Sequence, residues 1–128
     1  MSNLSGKKIL LVEDDLLSTE LLLFVFQSEG IEVKTATNVS DALLLLKDWI
    51  PDVIISDLGL PDEDGFAFIK KIRSMTSMEY LKIPAVAVTG YGREEGLKAL
   101  EAGFTYYRTK PLQPHDLITM LRKMLNKT

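Results

Sequence analysis

The sequence contains no cysteine. It therefore has no disulfide framework, no zinc–thiolate site and no thiol nucleophile. Its one histidine, His115, cannot make a histidine metal cluster. Long apolar runs are missing as well. The longest, Leu21 to Phe26, falls far short of the ~20 residues that a membrane-spanning helix needs. The first residues, Met1 to Lys8, lack the apolar stretch of a signal peptide. No membrane insertion is expected, and a cytoplasmic location is the default. Nor is there a basic excess. Fifteen Lys and Arg face eighteen Asp and Glu for a net charge of -3, which argues against direct nucleic-acid binding.

What remains is the make-up of one ordinary folded domain: 128 residues, 46% hydrophobic and 26% charged. Short apolar runs alternate with helix-like segments. Strands are expected at Lys8 to Val12, Ile31 to Thr35, Val53 to Ser56, Pro84 to Val88 and Phe104 to Tyr107. The intervening helices are expected at Leu16 to Glu29, at a segment capped by Ser40 or Asp41 and running to Trp49, at Phe66 to Arg73, and at Arg93 to Ala102. A last helix is expected at Pro114 to Met124. Ser74 to Lys82 carries no clear pattern and reads either as an extension of the third helix or as a loop.

Strands alternating with helices imply an α/β fold with a parallel sheet covered on both faces. Five strands fit the flavodoxin-like order 2-1-3-4-5, with ligands outside the carboxyl ends of the strands where β1 and β3 lie side by side. Glu13, Asp14 and Asp15 then face Asp57 across a crevice, with Thr89 and Lys110 at its flanks.

Four carboxylates in one crevice repel each other and call for a proton, a cation or a positive side chain. Oxygen-only ligands with open positions suit Mg²⁺. Lys110 supplies an ammonium for Asp57 or for phosphate oxygens, and Thr89 a hydroxyl. The set lacks a histidine base and a loop to cradle a nucleotide. It retains a carboxylate nucleophile of the kind that forms aspartyl phosphates.

Four motifs then carry a resemblance: Ile9-Leu10-Leu11-Val12-Glu13-Asp14-Asp15, Asp57-Leu58-Gly59-Leu60-Pro61-Asp62-Glu63-Asp64-Gly65, Val88-Thr89-Gly90-Tyr91 and Thr109-Lys110-Pro111. In this order and at these spacings they resemble the receiver (response regulator) domains of two-component signal transduction. The resemblance spans residues 7–125, with 1–6 as a lead-in and 126–128 as the end. It leaves no output domain in this chain.

The resemblance implies that Asp57 is the phosphoacceptor, served by a sensor histidine kinase or a histidine phosphotransfer protein. It implies Mg²⁺ held by Asp14, Asp57 and the Gly59 carbonyl, with Glu13 acting through water. Thr89 and Tyr107 resemble the switch residues, and Lys110-Pro111 resembles the cis peptide that sets the lysine. The output face implied is that of the fourth helix, fifth strand and fifth helix. There Arg93, Glu94, Lys98, Tyr106 and Arg108 would meet a downstream protein or a second copy of the chain. Leu4-Ser5-Gly6 and the Gly-Arg-Glu-Glu after Tyr91 look like receiver modules of hybrid sensor kinases. Gly90 and Phe104-Thr105 depart from the commoner Ala and Ala-Asp.

Plainer readings stand beside these. Asp15 reads as a helix cap, His115 as a surface residue, and Tyr107 equally as packing or as a switch. Asp62-Glu63-Asp64-Gly65 fails as a calcium loop because Leu60 and Lys71 occupy ligand positions. Gly90, Gly92 and Gly96 miss the dinucleotide spacing by one residue. The second functional reading is a phosphorylation-independent adaptor that keeps only the fold. A free-standing phosphohydrolase would need an acid two residues after Asp57, where Gly59 stands.

Overall fold

In a computed structural model describing residues 3–75, 77, 80 and 82–126, strands and helices alternate along the chain. The order is β1 (Lys8–Val12), α1 (Leu16–Ser28), β2 (Glu32–Ala36), α2 (Val39–Asp48), β3 (Val53–Asp57), α3 (Gly65–Arg73), β4 (Ala85–Thr89), α4 (Arg93–Ala102), β5 (Tyr106–Thr109) and α5 (Pro114–Leu125). The strands form one parallel sheet in the order β2-β1-β3-β4-β5, as the alternation predicts. Ile9 pairs with Val53 and Val12 with Ser56, so β1 and β3 end level with each other.

The central strands send alternate side chains to opposite faces. Leu10, Val12, Ile54, Ala85 and Ala87 pack under α2, α3 and α4 with Leu46, Phe68, Ile69, Ile72 and Ala99. Ile9, Leu11, Ile55, Val86 and Val88 pack under α1 and α5 with Leu22, Phe26, Leu117 and Leu121. Leu4 joins this second core and is fully buried, while the Gly6 N–H donates to the Gly30 carbonyl. The lead-in therefore covers the end of the sheet opposite the acids. α1 stays apolar on its outer side, where Leu16, Leu17, Leu21 and Phe24 are exposed. Among the described residues no helix is long and apolar enough to cross a membrane.

Several boundaries differ from the sequence reading. Helix α2 is capped by Asn38, whose side-chain oxygen accepts from the Asp41 N–H at 2.8 Å, and not by Ser40 or Asp41. Two first-turn amides, those of Val39 and Ser40, are already taken by the Asp62 carboxylate at 2.9 and 3.0 Å. That long-range partner lets the helix start earlier than local sequence suggests.

Strand β5 runs over Tyr106–Thr109, two residues later than expected. Phe104 is a buried plug ahead of the strand, and Thr105 bonds Ala85 through both its amide and its hydroxyl. β5 is an edge strand with a largely exposed, polar sequence, so it lacks the apolar run that marks its neighbours. β4 starts at Ala85 and β2 at Glu32 because Pro84 has no N–H for the ladder and the Ile31 N–H closes the turn after α1 onto Phe26. α3 ends at Arg73; of the unpatterned stretch, residues 76, 78, 79 and 81 lie outside the described residues.

Candidate functional site

Backbone pairing continues past the strand ends and fixes the rim. The Glu13 N–H donates to Ala36 O, Leu58 N–H to Val88 O, and Lys110 N–H to Thr89 O, at 3.0, 3.0 and 2.8 Å. Asp57 closes β3, opposite Val88 of β4. The loop after it returns at once, with the Gly65 N–H donating to Leu58 O at 2.8 Å. This close return requires glycine, since a Cβ at position 65 would lie 2.7 Å from Asp57 O and 2.9 Å from Leu58 Cα. At the other end of the rim Asp15 caps α1 by accepting from the Ser18 N–H at 2.9 Å, in line with its cap reading.

Glu13, Asp14 and Asp57 each offer a carboxylate oxygen, and the three oxygens lie within 4.8 Å of one another. Glu13 is 6% exposed and Asp57 8%, whereas Asp14 faces solvent. Lys110 Nζ donates to Asp57 Oδ2 at 2.7 Å and lies 3.6 Å from Glu13 Oε1. The Gly59 N–H donates to Asp57 Oδ1 at 3.0 Å.

Burial pushes the Asp57 carboxyl up, but hydrogen bonds from Glu13, Lys110 and the Gly59 amide outweigh it and hold the group below its usual value. Glu13 goes the other way. Burial, reinforced by its hydrogen bond to Asp57 and by that residue's charge, pushes it up to about 7. Burial works against the Lys110 charge, yet the hydrogen bond and charge of Asp57 leave the ammonium stabilised above its usual value. A proton on Glu13 relieves the repulsion between the two carboxyls, as a cation beside them also does. Three converging oxygen donors, two of them crowded enough to need that proton, fit a hard divalent cation such as Mg²⁺.

On the far side Thr89 is fully buried. Its hydroxyl accepts from the Tyr91 N–H at 3.0 Å and donates to the Glu95 carboxylate in the first turn of α4. Tyr107 is half-buried, with its ring over α4, so close that a Cβ on Gly96 would lie 2.3 Å from Tyr107 Cδ1. The Lys110–Pro111 peptide is cis. Arg93, Glu94, Lys98, Tyr106 and Arg108 are all exposed, as is His115. Beside the acids, a groove of about 420 Å³ opens between α1 and the segment after β5, lined by Glu13, Leu21, Leu22, Lys110, Pro111 and Leu112.

The structure thus brings Glu13, Asp14, Asp57 and Lys110 together and sets Thr89 and Tyr107 against α4. The sequence patterns include Asp62, Glu95, Gly65 and Gly96 but do not announce the contacts these residues make in the fold. Asp62 accepts the Val39, Ser40 and Glu63 amides, and those bonds, the Val39 one foremost, hold its carboxyl well below the ordinary value. Val39 and Ser40 lie 23 and 22 residues upstream, so no local pattern announces those two bonds.

A doubly covered parallel sheet with an acid cluster at its switch point and a lysine closing on one acid defines a class of α/β protein with a charged site at the carboxyl ends of its strands. Comparison with known proteins gives the family. Residues 9–122 match the family model of the response regulator receiver domain. An uncharacterised 14.6 kDa protein of Leptolyngbya boryana is 40% identical over 124 residues, covering 96% of this chain and 93% of that protein. The phosphate regulon transcriptional regulatory protein PhoB of Escherichia coli (strain K12) is 33% identical over 125 residues, covering 95% of this chain but 53% of PhoB. The chain thus spans about half the length of that regulator.

Among solved structures, a two-component response regulator from Clostridium difficile superposes with a TM-score of 0.87 at 27% identity, covering 95% of this chain and 98% of that one. The receiver domain of the sensor histidine kinase PA1611 from Pseudomonas aeruginosa PAO1 superposes with a TM-score of 0.86 at 25% identity, covering 96% and 100%. That structure has a magnesium ion coordinated in its active-site cleft. This chain belongs to the response regulator receiver domain family.

Proposed function

We propose that the chain is a phosphorylation-dependent switch of a two-component phosphorelay, working in the cytoplasm, with residues 7–125 as the switching unit. The observation that carries this reading is the convergence of Glu13, Asp14 and Asp57 within 4.8 Å, with Lys110 Nζ 2.7 Å from Asp57 Oδ2. Asp57 is the phosphoacceptor. Its carboxyl sits below the ordinary value and so stays ionised as a nucleophile.

An Asp57 oxygen attacks the phosphorus of a phosphohistidine on a sensor histidine kinase or a histidine phosphotransfer protein. The P–N bond breaks, its electron pair stays on the imidazole nitrogen, and an acyl phosphate remains on Asp57. Asp14, Asp57 and the Gly59 carbonyl would hold Mg²⁺ directly, and Glu13 through water. When bound, the cation offsets the charge of the transferring phosphoryl group. Lys110 neutralises phosphoryl oxygens on the opposite side. The chain is no turnover enzyme; beyond accepting the group it catalyses at most slow hydrolysis of its own acyl phosphate.

The new group adds roughly two negative charges and strong acceptors. It draws the Thr89 hydroxyl towards it and lets Tyr107 turn inward, biasing an equilibrium between two arrangements of the α4–β5–α5 face. That face, with Arg93, Glu94, Lys98, Tyr106 and Arg108, binds a downstream protein or a second copy of the chain. The adaptor reading is not favoured, because the acids, the threonine and the lysine are all in place.

Acetyl phosphate with Mg²⁺ should add one phosphate per wild-type chain by intact-mass measurement, and none to Asp57→Ala. No adduct on the wild type, or an equal adduct on Asp57→Ala, overturns the proposal.

A further inference from the structure

A threonine hydroxyl has a single hydrogen to donate. In this structure Thr89 gives it to the Glu95 carboxylate, while the Tyr91 N–H occupies a lone pair of the same oxygen. Thr89 is fully buried, so bulk water is not an alternative partner. Glu95 sits in the first turn of α4, whose N-cap, Gly92, has no side chain to bond the helix. The next residue, Gly96, is the floor on which the Tyr107 ring rests. Two consecutive residues of α4 therefore touch both proposed switch side chains, one through a hydrogen bond and one through contact.

We infer that Glu95 is a positioning residue that holds Thr89 in the resting arrangement and competes with the phosphoryl oxygens for its one hydroxyl proton. The inference rests on the switch role proposed for Thr89. Phosphorylation then has to break the Thr89–Glu95 bond before the hydroxyl can serve the phosphoryl group. The bond's strength sets how far the resting equilibrium lies from the phosphorylated arrangement. Releasing Glu95 also frees the first turn of α4, beside the exposed Arg93 and Glu94 of the proposed output face.

Beryllium fluoride, which forms a phosphoryl-like adduct with carboxylates, tests this by calorimetry in the presence of Mg²⁺. Glu95→Ala should bind it roughly tenfold more tightly than wild type, the lower end of what a hydrogen bond to a charged group contributes. Glu95→Gln keeps a neutral acceptor oxygen and should fall between the two. In a Thr89→Val background the gain from Glu95→Ala should vanish, because the two changes act on one bond. Affinity for Mg²⁺ alone should be the same in wild type and Glu95→Ala, since Glu95 does not belong to the acid cluster.

Unchanged or weaker beryllofluoride binding by Glu95→Ala overturns the inference, as does a gain that persists in Thr89→Val. A wild type that fails to bind beryllofluoride with Mg²⁺ overturns the phosphoacceptor reading itself, and the latch with it.

Discussion

On the β1–β3 side of the rim, Glu13 and Asp57 are closed in by central strands, and their carboxylates are held by Lys110 and by backbone amides. On the β4–β5 side, Thr89 and Tyr107 lean on the first half of α4, next to an edge strand whose residues are mostly exposed. The first region has backbone against backbone, as where Gly65 folds back on Asp57. The second has side chains against a helix face, which can part without breaking the sheet. One half holds charges in place, and the other is joined by side-chain contacts to a helix. The proposed switch needs both, because a ligand moves an equilibrium only where two arrangements differ in their contacts with it.

The contrast is sharpest in two glycine substitutions. Gly65→Ala would drive a Cβ into backbone at 2.7 and 2.9 Å, where nothing can yield cheaply. It should cost about 2–3 kcal/mol by denaturant unfolding, as overpacking at a closed site does. A loss much below that would mean the acid half is looser than its geometry implies.

Next in size is a pH effect confined to the same half. Below about 4.5, the ordinary value for Glu13, folded and unfolded chains both hold its proton. Between there and about 7 only the unfolded chain releases it, so stability should fall as pH rises and then level off. The drop should be on the order of 2 kcal/mol. Asp57 opposes it only at lower pH, because its folded value lies below the ordinary one. Glu13→Gln should flatten the slope in urea titrations, and saturating Mg²⁺ should flatten it in the wild type. A slope that survives Glu13→Gln would assign it to another group.

Gly96→Ala probes the opposite half. The atoms nearest its Cβ all belong to the Tyr107 ring, which sits near an edge and can swing away. Higher helix propensity offsets the displaced packing, so stability should change by less than about 1 kcal/mol. Tyrosine fluorescence should nonetheless report a more exposed ring. A large stability loss here would erase the distinction between the two halves.

Smallest and most local, Asn38→Ala should cost about 1 kcal/mol through the lost α2 cap, whereas Ser40→Ala should cost almost nothing. Equal effects would restore the cap position suggested by sequence alone.

Those tests also mark where the sequence was readable. Central strands announce themselves because burial on both faces demands unbroken apolar runs, as in Val53–Ser56. Edge strand β5 shows its presence but not its bounds, because Tyr106, Arg108 and Thr109 are exposed and its pairing is set by β4. Asp57 was legible as an acid ending an apolar strand, and Lys110 by its place ahead of Pro111. Asp62 and Glu95 were not, since each looks like an ordinary surface acid until the chain folds. Their partners, Val39 and Ser40 for the one and Thr89 for the other, are chosen by how loops meet helices.

The order of residues by itself determined the alternation of strands and helices, and hence the parallel sheet and the rim on which Glu13, Asp14, Asp57, Thr89 and Lys110 collect. Periodicity and strand ends are local properties, and the handedness of the crossovers leaves few ways to assemble them. Only the tertiary structure decided the protonation balance between Glu13 and Asp57, the seat of Tyr107 on Gly96 and the partner of the Thr89 proton. Each depends on ångström-scale approach between segments far apart in the chain, and hydrogen bonds and charge interactions in a buried site change steeply over such distances.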